Sequence, residues 1–468
     1  MILLKELKAY SEKDLMNKLE VGNEDLQKII KVLYEKRILK YNYKGEIQFS
    51  YVGIIIIKGK SIFIFPKYIK SENEINQRQV VKQVIKLLNE FSEREKLDKN
   101  NLESFSLEKE TLEDNLIPII CFLLDDYIVN NIYENEISSD ELNGDGEINW
   151  DKTIELIDPI VINNQWFYSD LITNRTTVDT GRYITRLHGA VINECMTFLD
   201  NTGLRSVLEY NVENIENSLE DLDEVDRIDR EIENEMTVQF NDRKKRVLYA
   251  IKAYLDKRSD TGELNLLLYG TRNFKWVWEV ICGYVFHNEF VRCGNKDKYS
   301  IYEIESPKWY IDNSDKLEND ASSEYEMKKN RLTPDILKVI LNNGEKVLLI
   351  LDAKYYNIRV QDSRVKGNPG IEDITKQYLY HAALKKYISK NKINKVFNAF
   401  LFPSDLETHI QGVVELEFMR IFSDIDINLI QLNVEEVIKL YCNNKRYNLN
   451  EFVSLINGYT NKEKQLNI

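Results

Sequence analysis

Pro334-Asp335-Ile336-Leu337-Lys338-Val339-Ile340-Leu341-Asn342-Asn343-Gly344-Glu345-Lys346-Val347-Leu348-Leu349-Ile350-Leu351-Asp352-Ala353-Lys354 holds two apolar segments around a turn. Ile336 to Ile340 is a β-branched strand, Leu341-Asn342-Asn343-Gly344 supplies turn chemistry, and Lys346 to Leu351 is a second strand. Asp335 and Asp352 therefore belong to one hairpin. The near-continuous apolar run before Asp352 predicts a central strand covered on both faces. An unpaired Asp or Lys is costly there unless it binds something.

The alternating pleat puts Asp352 and Lys354 on one face, roughly 6 to 7 Å apart at the backbone, with Ala353 on the other. Asp335 and Asp352, with the Ala353 carbonyl, offer hard oxygen ligands suited to Mg²⁺, with Mn²⁺ as a substitute, and leave positions for water and a phosphate oxygen. A metal so held would polarise a phosphate and acidify an attacking water. Lys354 would stabilise charge growing on the phosphorus centre or orient that water. The plainer alternative is a surface hairpin with an Asp-Lys ion pair. Glu326-Met327-Lys328 repeats the acid-x-Lys spacing, but in a charged stretch, Ser322 to Arg331, with no strand to hold it.

Two helices fit the same core. Phe274 to Phe286 is largely apolar and carries one carboxylate, Glu279, which calls for a metal, a cation or a proton. Its plain alternative is a surface pair with Lys275 at i, i+4. Downstream, Ile374 to Leu384 reads as a helix packing on the sheet; Gln377 either faces the site or is an ordinary hydrogen-bonding residue.

In order, helix Glu279, hairpin Pro334-Asp335, Asp352-Ala353-Lys354, helix Gln377-Tyr378 and strand Val396 to Phe402 resemble the PD-(D/E)xK nuclease superfamily over about Leu264 to Phe402. The resemblance implies a catalytic set of Glu279, Asp335, Asp352, Lys354 and Gln377, with Asp335, Asp352, Ala353 and Glu279 around the metal. Tyr51 to Tyr68, a strand-turn-strand ending Pro66-Lys67-Tyr68, is similar to the start of McrC-type restriction subunits. With Gly144-Asp145-Gly146-Glu147-Ile148-Asn149-Trp150-Asp151-Lys152-Thr153-Ile154, this layout resembles the LlaJI restriction endonucleases. The McrC likeness implies an AAA+ GTPase partner of the McrB type. The chain has no GxxxxGK[ST] loop, so any motor must be a separate polypeptide. Gly144-Asp145-Gly146 lacks EF-hand spacing and reads as a turn before a strand; Trp150 is expected to pack, with an arm of Trp150, Lys152 and Thr153 contacting DNA or the partner as the alternative.

The first fifty residues pair two amphipathic helices with a small wing. Ser11 and a following acid cap the first, where Leu15 and Leu19 face inward; Leu26, Ile29, Ile30 and Leu33 line the second; Ile38 to Tyr41 and Ile47 to Ser50 supply strands. This resembles a winged helix-turn-helix, which contacts either DNA, through lysines such as Lys28 and Lys31, or a protein partner.

At 468 residues and 43% apolar, the chain can bury two or three cores. Its net charge of -14 argues against unselective polyanion binding, so DNA contact must come from local patches such as Arg243-Lys244-Lys245-Arg246. The acidic run before that patch, Glu213 to Glu235, is read as a solvated face, with partner docking or DNA mimicry as the alternative. Five scattered cysteines without a CxxC pair suit a reducing cytoplasm, and four isolated histidines leave the carboxylates as the metal-ligating set. No segment reads as a membrane span.

The expected fold is multidomain α/β (α+β): a winged-helix and β-ribbon module over 1–70, a mainly helical middle over 71–260, and a restriction-endonuclease-like α/β nuclease core over 261–468. The expected function is Mg²⁺-dependent cleavage of double-stranded DNA in a bacterial restriction or antiphage system, by the cutting subunit of an assembly with a McrB-like GTPase. The alternatives are an autonomous Type II enzyme, with a homodimer compatible, and a non-cutting adaptor that stimulates a partner NTPase.

Overall fold

The computed structural model describes residues 1–70, 74–98, 116–179, 183–258 apart from 214, 216 and 220–224, 266–290, 304, 332–361 and 364–466. Glu326-Met327-Lys328 and Cys293 lie outside them. The fold is mixed α/β, in two compact units: Met1–Asp114 with Leu268–Ile468, and Asn115–Leu267.

The chain opens with β1 (Ile2–Lys5), β2 (Ala9–Tyr10), α1 (Glu12–Leu19) and α2 (Asn23–Glu35). Ser11 starts α1 because its hydroxyl accepts from the Asp14 amide while the Asp14 carboxylate accepts from the Ser11 amide, satisfying two helix-end donors. Leu15, Leu19, Leu26, Ile29, Ile30 and Leu33 are all buried, as their spacing requires. β3 (Leu39–Tyr41) and β4 (Ile47–Phe49) form an antiparallel sheet with β2, in the order β2-β4-β3. The β5 (Val52–Ile57) and β6 (Lys60–Phe65) hairpin follows, its Ile and Phe residues buried on both faces, and then α3 (Glu74–Asp98).

The second unit begins with α4 (Leu116–Asn130), then β7 (Asn135–Leu142), β8 (Glu147–Ile148), α5 (Trp150–Leu156), β9 (Ile160–Ile162), β10 (Gln165–Phe167) and β11 (Ile172–Asp179). It ends with α6 (Tyr183–Asn201), α7 (Arg205–Leu208), α8 (Val225–Val238) and α9 (Asp242–Arg258). The middle of the chain, expected to be mainly helical, thus also holds strands. β11 pairs with β7 from Ile172 to Asp179; its run of Thr, Asn, Arg and Asp offers no apolar alternation, so only the pairing defines it. Gly144-Asp145-Gly146 is the turn before β8. Trp150, expected to pack, is instead 52% exposed at the start of α5.

On its return the chain adds β12 (Leu267–Thr271) beside β5, giving the order β1-β6-β5-β12. Glycine is required at this crossing: a Cβ on Gly53 would lie 2.2 Å from the Tyr269 carbonyl oxygen, and one on Gly270 2.2 Å from that of Val52. Next come α10 (Phe274–Val285), β13 (Ile336–Asn342), β14 (Glu345–Ala353), β15 (Arg359–Gln361), β16 (Arg364–Lys366) and α11 (Ile371–Lys390). β17 (Lys395–Ser404), β18 (His409–Val414), β19 (Ile427–Asn433), α12 (Val434–Cys442) and α13 (Leu449–Leu466) complete the fold.

The core sheet has the order β13-β14-β17-β19-β18, with β14, β17 and β19 parallel and the two edge strands antiparallel. β14 is therefore interior, and Val347 to Ala353 are buried throughout. Leu348 and Ile350 pack with Tyr380 and Leu384 of α11. By the pleat, Asp352 and Lys354 share that face.

Candidate active site

The β13-β14 hairpin carries the site. β13 pairs Ile336 with Leu351, so Asp335, one residue earlier, comes to lie opposite the end of β14. The Asp335 carboxylate accepts from the Ala353 amide at 3.1 Å and hydrogen-bonds with the Asp352 carboxyl. Asn288, just past α10, holds the loop: its amide donates to the Asp335 carbonyl at 2.8 Å, and its side-chain oxygen accepts from the Leu337 amide at 3.0 Å. From the other side, the Tyr380 hydroxyl donates to the Thr333 carbonyl at 3.2 Å. Both ends of the Pro334-Asp335 turn are thus pinned.

Lys354 is held at the strand end by its amide, which donates to the Leu401 carbonyl at 2.9 Å and prolongs the parallel ladder. Its ammonium lies 2.8 Å from Asp352 and 3.1 Å from Asp373, in the first turn of α11. The side chains are buried, Lys354 11% and Asp352 7% exposed, so this is no surface ion pair. Burial alone would lower the Lys354 pKa, but the Asp352 and Asp373 carboxylates outweigh it and raise it, so Lys354 stays an ammonium. Burial and the facing Asp335 push the Asp352 carboxyl up to about 8, against the pull of Lys354.

Gln377 lies one turn beyond Asp373 on α11. It is 1% exposed, its carbonyl accepts from the Asn398 side chain at 2.9 Å, and its amide oxygen is buried without a hydrogen-bond partner. Glu279 makes the i, i+4 pair with Lys275, at 3.7 Å. Its side chain is only 18% exposed, and together with Asp335 it acts on the buried Cys282 thiol, whose pKa burial raises first of all.

The donor set suits a divalent cation. The buried Asp352 carboxyl faces the partly buried Asp335, which with burial raises the Asp352 pKa, and an unpartnered amide oxygen lies on the neighbouring helix. Among the described residues, no group of three or more His, Cys, Asp or Glu side chains is arranged around a metal. The Ala353 carbonyl, water and a phosphate oxygen would have to complete the coordination.

A family model for the LlaJI restriction endonuclease matches residues 51–441. The chain belongs to the LlaJI restriction endonuclease family. This LlaJI-family chain is also 29% identical, over 441 residues, to the Type II restriction enzyme BsuMI component YdjA of Bacillus subtilis (strain 168), covering 91% of its own length and 88% of the relative's. Among solved structures, a chain from the half-complex of Thermococcus gammatolerans McrB AAA+ hexamers with bound McrC aligns with a TM-score of 0.37 and 13% identity, over 94% of this chain and 98% of that one.

The other DNA-contact candidates lie on the surface or in internal pairs. Lys28 and Lys31 are exposed on α2. In the second unit, Arg243 makes a bidentate pair with Asp126, closest at 2.6 Å, and the Lys244 ammonium donates to the Glu134 carbonyl at 2.7 Å. The Lys245 ammonium lies 5.9 Å from the Phe240 ring, and Arg246 is exposed. No helix among the described residues is long and apolar enough to cross a membrane.

Asp373, Asn288 and Tyr355 escaped the sequence reading. Asp373 alone left a signal: it stands four residues before Gln377, hence on the same helix face. Tyr355 donates its hydroxyl to Glu6 of the segment after β1 and accepts from the Lys67 amide at 3.2 Å. Its ring packs against Phe274 and Tyr68.

Proposed function

We propose that this chain is the Mg²⁺-dependent cutting subunit of a bacterial restriction system, hydrolysing phosphodiesters of double-stranded DNA at a PD-(D/E)xK centre of Asp335, Asp352 and Lys354. The observation that carries the reading is the buried Asp352 facing the partly buried Asp335, with a lysine bracketed by carboxylates, in a chain of a restriction endonuclease family.

When bound at the carboxylate pair, Mg²⁺, or Mn²⁺ in its place, supplies Lewis-acid polarisation of the phosphate and a more acidic water. Asp335 and Asp352 would hold the cation, and Glu279 of α10 is read as a further carboxylate of the centre. Asp373 and Asp352 keep Lys354 charged and aimed, and its ammonium stabilises the negative charge that grows on the non-bridging phosphate oxygens. The buried Gln377 amide oxygen, without a hydrogen-bond partner, would be an acceptor for a water bound beside Asp373. The α1-α2 helices with their small sheet are read as a winged helix, and Lys28, Lys31 and Arg246 as surface contacts to the duplex.

The partner reading is a McrB-like AAA+ GTPase. A protein partner of some kind is supported by the β9-β10 hairpin, whose Ile160, Val161, Trp166 and Phe167 are all exposed, by 48 to 69%. That a relative is one component of BsuMI favours a multi-subunit enzyme over an autonomous one.

The test is cleavage of plasmid and phage DNA by purified wild type and Lys354→Ala, with Mg²⁺ or EDTA, with and without GTP or ATP and the product of any adjacent NTPase gene. Metal-dependent cutting that the variant lacks supports the nuclease. A need for nucleotide and partner selects the assembly over the autonomous enzyme. No cutting, with partner NTP hydrolysis still stimulated, overturns the reading in favour of an adaptor.

A further inference from the structure

The segment that leaves Lys354 runs Tyr355-Tyr356-Asn357-Ile358-Arg359 and ends on the wall of a cleft of about 710 Å³ formed with β1, the residues after it and the end of the β-ribbon. Lys5, Lys8, Lys67, Lys70 and Arg359 line it, against a single carboxylate, Glu6. In a chain of net charge -14, a concavity with five cations and one acid stands against the overall balance. That acid is also withdrawn: Glu6 accepts from the Tyr355 hydroxyl and from the Lys67 amide at 3.0 Å. Burial raises its pKa, so it opposes an anion less than an exposed glutamate would.

The cations form two tiers. Lys8, Lys70 and Arg359 are exposed at the rim, while Lys5 and Lys67 are partly buried. Lys5 donates to the Ile69 carbonyl. The Lys67 ammonium lies 4.3 Å from the Tyr355 ring centre and 5.8 Å from that of Tyr356, and the Asn357 side chain donates to the Lys67 carbonyl at 3.0 Å. Burial lowers the Lys67 pKa, as expected of a cation with too few counter-charges. The volume exceeds what a lone phosphate fills and lies within the roughly 300 to 1,000 Å³ of sites for larger ligands.

We propose that this cleft binds the phosphate-bearing strand of the DNA substrate next to the scissile bond, with Lys8, Lys67, Lys70 and Arg359 on successive phosphates. The proposal rests on the nuclease reading and adds the surface that delivers the strand to it. The Glu6-Tyr355 bond ties the cleft to the residue following Lys354, so the cleft wall is continuous in the chain with the end of β14.

The test is fluorescence anisotropy of full-length protein with a labelled duplex, in Ca²⁺ to prevent cutting, over a salt series, for wild type and the Lys8→Ala/Lys70→Ala/Arg359→Ala variant. Labelled GTP and ATP are titrated in parallel. We expect tenfold or greater loss of DNA affinity in the variant. The slope of log K against log salt should become shallower by about 0.9 for each phosphate contact removed. All three side chains are exposed, so an unchanged melting temperature will show that the fold persists. Equal affinity and slope in the two proteins overturn the proposal, as does a wild type with no measurable DNA affinity. A nucleotide affinity that falls in the variant while DNA affinity holds overturns the assignment to the DNA strand and makes the cleft a free-nucleotide site. The nuclease reading is judged separately, by metal-dependent cutting in wild type and its loss in Asp352→Asn.

Discussion

The Lys354 ammonium lies 3.1 Å from the Asp373 carboxylate, a residue of the helix after the hairpin, as well as 2.8 Å from Asp352 within it. A lysine held by one acid can swing toward solvent, whereas one held from two elements is aimed. On the proposed nuclease reading Asp373 acts through Lys354 and is a positioning residue. Asp373→Asn keeps the shape and removes the charge, so cutting should fall by about ten- to a hundredfold, as when outer-shell partners are removed. DNA affinity should be unchanged, and the pH-rate profile should move on the alkaline side, where Lys354 loses its proton more easily. An unmoved profile with normal cutting would make Asp373 merely structural.

Asp352→Asn and Lys354→Ala should each reduce cutting on the order of 10³-fold or more, because each removes a group needed most in the transition state. Both proteins should still bind DNA. Single-turnover cleavage alongside a binding assay separates the two effects, and normal cutting by both variants would show the site to be elsewhere.

The raised Asp352 carboxyl gives the metal-free protein a pH-dependent stability. Its folded pKa, about 8, lies above the ordinary value of 3.8, so its stabilising contribution is complete below about 4 and is lost as pH rises through 8. In EDTA the melting temperature should therefore decline between pH 5 and 9. Mg²⁺, which favours the ionised carboxyl, should raise it more at pH 9 than at pH 5. Asp352→Asn should flatten the EDTA curve and abolish the Mg²⁺ increment; a decline that persists in this variant would assign it to other groups.

His188 sets the opposite sign in the second unit. Fully buried, it accepts through Nδ1 from the Tyr133 amide at 2.8 Å, and burial lowers its pKa from 6.5 to about 4. Its contribution is present above 6.5 and lost as pH falls through about 4, a loss on the order of 3 kcal/mol. Chemical denaturation between pH 7 and 4 should show that slope in wild type and a reduced slope in His188→Gln, which retains an acceptor.

Gly270→Ala should destabilise the β5-β12 pairing strongly, since its Cβ would meet the Val52 carbonyl oxygen at 2.2 Å and backbone cannot retreat as a flexible side chain does. Gly22→Ala, with nothing within 4 Å of the added methyl, is the control. Equal melting temperatures for the two variants would show that the crossing is loose.

Periodicity and turn chemistry in the sequence by themselves determined the β13-β14 hairpin, the buried run to Ile350 and Leu351, the two helices that flank the sheet and the placing of Asp352 and Lys354 on one face. These are local properties: a pleat of two, a turn of 3.6 and an Asn-Gly turn act within a few residues. Gln377 was legible as a helix residue, but its unpartnered amide oxygen was not. Only the tertiary structure brought Asp373 to Lys354, clamped Asp335 between Asn288 and Tyr380, and bonded Glu6 to Tyr355 across most of the chain. It alone joined Met1–Asp114 to Leu268–Ile468 in one unit and turned Arg243 toward Asp126. Such contacts follow from which faces are buried together, and no spacing along the chain records that.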